Sequence, residues 1–190
     1  MHGPAESVPA PAAPVIVVDA GAMREFGRSL AAQLRPGDLV LLCGPLGAGK
    51  TTLAQGLGDG LGVRGPVTSP TFVIARIHPS LGDGPALVHV DAYRLRPGAE
   101  IDDLDLDASL EDSVTVVEWG EGKVEGLAPD RLEVTIERLD PGAGDDGGAA
   151  AAAGGAGNAG DAGDGAGPDV RAVRIRGVGD RWAAGSGRLS

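Results

Sequence analysis

Eight consecutive residues, Gly44-Pro45-Leu46-Gly47-Ala48-Gly49-Lys50-Thr51, follow the pattern G-x-x-x-x-G-K-[ST]. The chemistry this pattern serves is phosphate binding. Glycines let a backbone turn approach an anion closely, and successive N–H groups at a helix start form a concavity for phosphate oxygens. In such a loop Gly44, Gly47, Ala48, Gly49, Lys50, Thr51 and Thr52 bind the nucleotide. Lys50 reaches the β- and γ-phosphates, and the Thr51 hydroxyl ligates Mg²⁺. The chain has only two lysines, Lys50 and Lys123, and one falls on the position that needs it.

Two acids stand where such a loop would use them. Asp91 closes the apolar run Leu87-Val88-His89-Val90. An acid at a strand's carboxyl end beside a P-loop suits holding Mg²⁺, directly or through water; a turn residue or helix cap is the plainer role. Glu118 closes Val114-Thr115-Val116-Val117. It suits orienting or deprotonating an attacking water, or completing the metal shell; the alternative is a solvated strand end. Ser69-Pro70-Thr71 lies between the P-loop helix and the next strand, where a hydroxyl can sense a γ-phosphate or reach the metal. A Pro-directed turn is the other reading. His89 alternates away from its neighbours and reads as a packed or hydrogen-bonded strand residue rather than a base. Arg94 and Arg96 are candidates for phosphate or partner contacts, with a solvated role as the alternative. No Asn-Lys-x-Asp stretch follows, so the guanine-reading element of common GTPases is missing and ATP is favoured by exclusion.

These side chains need a scaffold. Val15 to Val18 reads as a short strand, and Asp19 can cap a helix in which Met23, Phe26, Leu30 and Leu34 recur at helical spacing. Leu39 to Cys43 reads as a buried strand leading into the P-loop, and the helix after it runs to about Leu61, stopped by Gly62. Further strands are expected at Phe72 to Ile77, Ala86 to Val90, Val114 to Val117, Leu132 to Ile136 and Val170 to Ile175. A short helix is expected around Glu100 to Leu110. Strands alternating with helices predict a single α/β P-loop NTPase-like domain: a central mixed sheet flanked by helices, with the P-loop at its carboxyl edge. The domain spans residues 15–182, between a flexible N-terminus at 1–14 and a flexible C-terminus at 183–190. Within it, residues 140–169 are almost entirely Gly, Ala and Asp. So little side chain cannot offset the lost backbone freedom, so this insertion reads as disordered, in the manner of a long hairpin loop.

Composition narrows the function further. The formal net charge of the 190 residues is -11. No clustered basic face is visible, so the chain does not grip nucleic acid by itself; if RNA is involved, a partner holds it. A single cysteine, Cys43, excludes an internal disulfide. The Pro- and Ala-rich start lacks the apolar core of a signal peptide. No run of about 20 apolar residues exists to span a membrane. A cytoplasmic protein is expected.

Four motifs in order carry a resemblance: Leu46-Gly47-Ala48-Gly49-Lys50-Thr51-Thr52, Ser69-Pro70-Thr71-Phe72, His89-Val90-Asp91-Ala92-Tyr93-Arg94 and Val117-Glu118-Trp119. Together they resemble TsaE, the bacterial ATPase family of tRNA threonylcarbamoyladenosine biosynthesis, over roughly residues 15–138. The resemblance implies a small P-loop fold, Mg-ATP binding and slow, partner-dependent hydrolysis. It implies partnership with TsaD and TsaB, which carry the threonylcarbamoyl transfer, and with tRNA only through that complex. By motif matching, Thr51 and Glu118 become Mg²⁺ ligands, with Asp91 at the metal, and Asp91 and Glu118 the residues most needed for hydrolysis. Ser69, Pro70 and Thr71 become a nucleotide-responsive switch, with Trp119 packed beside it. The insertion departs from the family's compact form and touches no motif. Two rival classes remain: a small-molecule kinase, which needs an arginine-rich lid and an acceptor pocket, and a nucleotide-dependent binding module whose hydrolysis is incidental.

Overall fold

The five residues Leu39–Cys43 are all buried, and a strand apolar on both faces belongs in the middle of a sheet. That strand, β2, lies inside a seven-stranded sheet in the computed structural model, which describes residues 13–70, 74–94, 111–124, 128–139 and 169–183. The chain runs β1 (Val15–Val17), α1 (Ala20–Ala31), β2, α2 (Lys50–Leu61), β3 (Ala75–His78) and β4 (Ala86–Asp91). A 3₁₀ turn (Ala92–Arg94), β5 (Ser113–Glu118), β6 (Arg131–Arg138), β7 (Arg171–Val178) and α3 (Asp180–Ala183) complete it. The spatial order is β1-β7-β6-β2-β5-β4-β3. β6, β2, β5 and β4 run parallel; β1, β7 and β3 add antiparallel edges.

The two sheet faces bury different sets. Met23 and Leu30 of α1 and Leu53 and Leu57 of α2 pack with Val40, Leu42, Val114, Val116, Leu132 and Val134. On the other face Leu39, Leu41, Val88, Val90 and Val117 cluster with Val124 and Ala128. Asp19 caps α1 by accepting from the Ala22 amide at 2.7 Å, which satisfies one of the free N–H groups of the first turn. Helices α1 and α2 touch backbone to backbone. A Cβ placed on Gly56 would run into the Arg24 carbonyl oxygen, and one on Gly27 would lie 2.7 Å from the Leu53 carbonyl oxygen.

The expected α/β domain with its mixed sheet is what the structure shows, with differences at the edges. β1 stops at Val17, one residue early, because Asp19 turns the chain into α1. Of the strand expected at Phe72 to Ile77 the structure shows Ala75–His78, while Phe72 and Val73 lie outside the described residues. Ile74 has a left-handed φ of 62°, its amide donates to the Pro70 carbonyl and its carbonyl accepts from the Asp91 amide. β6 and β7 extend past their expected ends, pairing Arg131 with Val178 and Arg138 with Arg171. Asp169, which composition groups with the insertion, is among the described residues, and its carboxylate pairs with Arg138 and Arg171. The helix expected around Glu100 to Leu110 and residues 140–168 lie outside the described residues, as do 1–12 and 184–190. Among the described residues no helix is long and apolar enough to cross a membrane.

Candidate nucleotide and metal site

Three parallel strands end at one level. Leu42 of β2 is in register with Glu118, and Asp91 of β4 is in register with the same Glu118. The last residues of β4 and β5 therefore face the loop that leaves β2, as open parallel sheets place their ligand sites. That loop bends back sharply at Gly44, whose φ of 138° suits glycine and whose missing Cβ leaves room for the Ile136 carbonyl. Gly49, left-handed at φ 106°, precedes the first residue of α2, so the first amides of α2 open toward the loop's concavity.

Lys50 is only 4% exposed. Its ammonium donates to the carbonyls of Gly44 at 2.6 Å and Pro45 at 2.9 Å, and lies 3.6 Å from the centre of the Trp119 ring. Burial lowers its pKa below the usual 10.5, while the charges of Glu118 and Asp91 act in the opposite direction. Thr51 donates its hydroxyl to Glu118, 3.0 Å from Oε1 and 3.2 Å from Oε2. His89, fully buried, meets Glu118 Oε1 at 2.8 Å through Nε2. A carboxylate accepts, so the proton of that bond sits on Nε2. Asp91 accepts from the Ser69 hydroxyl at 3.3 Å and from the Tyr93 amide at 3.0 Å.

Trp119 holds a left-handed φ of 61°, an arrangement that costs a non-glycine residue on the order of 1 kcal/mol. It brings the indole over Lys50 and edge-on to Tyr93, with ring centres 5.3 Å apart. These groups, with the P-loop, Ser69 and Arg171, wall a cavity of about 720 Å³, a size that suits a nucleotide-sized ligand.

The structure thus brings Lys50, Thr51, Asp91, Glu118 and Ser69 to one cavity, with Gly47, Ala48, Gly49 and Thr52 in its wall. Pro70 is buried just behind Ser69; Thr71 and Arg96 lie outside the described residues. Arg94 is exposed and away from the cavity wall. His89 is a packed, hydrogen-bonded strand residue, and its partner turns out to be a site acid. Tyr93 and Arg171 carry no role in the sequence reading. Tyr93 sits inside a motif and could have been marked there. Arg171 begins the last strand, and nothing near it in sequence signals that it reaches Gly47.

The oxygen donors here suit Mg²⁺. That ion takes one or two carboxylates and completes its shell with hydroxyl, water and phosphate oxygens; Thr51, Glu118 and Asp91 supply a hydroxyl and two carboxylates. Among the described residues no group of three or more His, Cys, Asp or Glu side chains is placed to hold a metal ion.

Comparison with known proteins adds to the geometry. Residues 17–143 match the family described as "Threonylcarbamoyl adenosine biosynthesis protein TsaE". A tRNA threonylcarbamoyladenosine biosynthesis protein TsaE from Streptomyces coelicolor is 60% identical over 162 residues, covering 85% of this chain and 94% of the relative. One of the same description from Bacillus subtilis is 42% identical over 125 residues, covering 65% and 73%. The crystal structure of Bacillus subtilis YdiB superposes with a TM-score of 0.63 at 28% identity, covering 93% of this chain and 92% of that one. The matched segment contains the whole P-loop, both site acids and Trp119, and on that agreement of sequence and geometry the chain belongs to the TsaE family.

Proposed function

We propose that this chain is a Mg²⁺-dependent ATPase that supports tRNA N6-threonylcarbamoyladenosine modification together with TsaD and TsaB, and is not itself the transferase. The observation that carries the reading is the hydrogen bond between the P-loop hydroxyl of Thr51 and the β5 carboxylate of Glu118, with Lys50 and Asp91 at the same cavity. When bound, Mg²⁺ would offset charge on the β- and γ-phosphate oxygens. Lys50 exchanges its carbonyl partners for phosphate oxygens, and the loop amides take the rest. Thr51, Glu118 and Asp91 would hold the metal, and the Glu118 carboxylate, held in place by His89, would also orient the attacking water. Ser69, bonded to Asp91, is placed to respond to the terminal phosphate.

The test is ATP hydrolysis by the purified chain, alone and with TsaB and TsaD, for wild type, Lys50→Ala and Glu118→Ala. Turnover that rises with the partners and disappears in both variants supports the reading. Hydrolysis indifferent to the partners would remove the pathway role and direct the search to a small-molecule acceptor. A Glu118→Ala chain that no longer hydrolyses yet still sustains tRNA modification would make the protein a nucleotide switch.

A further inference from the structure

Arg171 stands at the head of β7, across the P-loop from the two acids. The sheet order puts β5 and β4 on one flank of β2 and β6 and β7 on the other. Its side chain is 9% exposed yet forms part of the cavity wall. Nη1 donates to the Asp169 carbonyl at 2.9 Å; Nη2 lies 2.7 Å from the Asp169 carboxylate and 3.3 Å from the Gly47 carbonyl. Both terminal nitrogens are thus engaged and the guanidinium plane is fixed. Nε is buried with no acceptor among the described residues. It lies 3.4 Å from where a Cβ on Gly49 would stand, against the loop itself. A buried N–H on a charged group without an acceptor is costly enough to need an explanation.

The ligand's own asymmetry supplies one. With Thr51, Asp91 and Glu118 on the β5 and β4 flank, the metal and terminal phosphate belong there. The nucleoside and its first phosphate must then leave on the other flank, where Arg171 waits and Arg138 lies 3.9 Å from a Cβ position on Gly47. We propose that Arg171 is a binding residue for the α-phosphate, the part shared by ATP and ADP, donating through its free Nε–H. The proposal rests on the nucleotide reading above.

Competition against a fluorescent ADP analogue on the full chain tests it, with ATP, ADP and inorganic pyrophosphate as competitors. Arg171→Met keeps the buried stem without the donors. It should weaken ATP and ADP alike by about tenfold, and pyrophosphate by less than about twofold. Arg171→Lys, which keeps a charge but has no N–H at the Nε position, should show the same pattern. Equal weakening of pyrophosphate would overturn the proposal in favour of a brace for the loop. A loss confined to ATP would place the contact at the γ-phosphate, and unchanged affinities would remove any contact. Failure of the wild type to take any of the three ligands would sink the nucleotide reading instead.

Discussion

Glu118 answers to two protein donors before any ligand arrives. Thr51 and His89 both approach its Oε1, so the carboxylate is held in one orientation from two sides. Such a group orients water well, because little reorganisation remains at the moment of reaction. Glu118→Gln preserves size and the contact to Thr51 but removes the carboxylate charge. Hydrolysis should fall at least about a hundredfold, while ATP binding by calorimetry stays within about threefold. At the far side of the sheet, His78 provides a different titration. It is 4% exposed with Nε2 unpaired among the described residues, and burial lowers its pKa below 6.5. The unfolded chain therefore binds a proton at His78 more readily than the folded one. Stability is full above 6.5 and is lost as pH falls from there through the lowered folded value. Thermal melting between pH 7.5 and pH 5.5 should show a smaller acid-side drop in His78→Gln than in wild type.

At the scale of elements, the contact between α1 and α2 sets the position of the P-loop helix. Because Gly56 faces the Arg24 carbonyl directly, Gly56→Ala must push the helices apart. Overpacking of this kind costs roughly 1–3 kcal/mol, against a gain in helix propensity of about 1 kcal/mol. Urea denaturation should therefore show net destabilisation. Gly82→Ala, where a Cβ meets nothing within 4 Å, should stay within about 0.5 kcal/mol of wild type. Helix ends and buried strands were legible in sequence because their signals are local: Asp19 as a cap, Gly62 as a stop, and unbroken apolar runs at β2 and β5. The start of β3 was not, since the left-handed φ of Ile74 just before Ala75 is a backbone feature that an apolar, β-branched residue does not signal. In the site, Lys50, Thr51, Asp91 and Glu118 could be found because motifs and strand ends mark them. Arg171 could not: it bonds to a residue 124 positions away, a distance that no periodicity spans.

For the molecule as a whole, the last hairpin shows what the Gly/Ala/Asp stretch demands of the fold. Arg138 and Arg171 are direct partners, and the Leu139 amide donates to the Val170 carbonyl at 2.9 Å, so the chain leaves and re-enters the sheet at neighbouring points. Replacing residues 141–168 with a turn of about four residues shortens the closed loop roughly sevenfold, a gain of no more than about 2 kcal/mol. Chemical denaturation of the shortened chain should show a stability equal to or slightly above wild type; a large loss would mean that the stretch packs against the domain. The pairing of β2 has another consequence, for synthesis. Both neighbours of β2 come from much later in the chain: Leu39 pairs with Thr115 on one side and Arg131 on the other. A nascent chain therefore carries Leu39–Cys43 with both edges bare until β5 and β6 have been made. Such distant pairings form slowly, and an apolar strand left waiting is open to self-association and to chaperones. The P-loop lies in the first third of the sequence, yet the strand that carries it pairs only with segments from the last half of the chain.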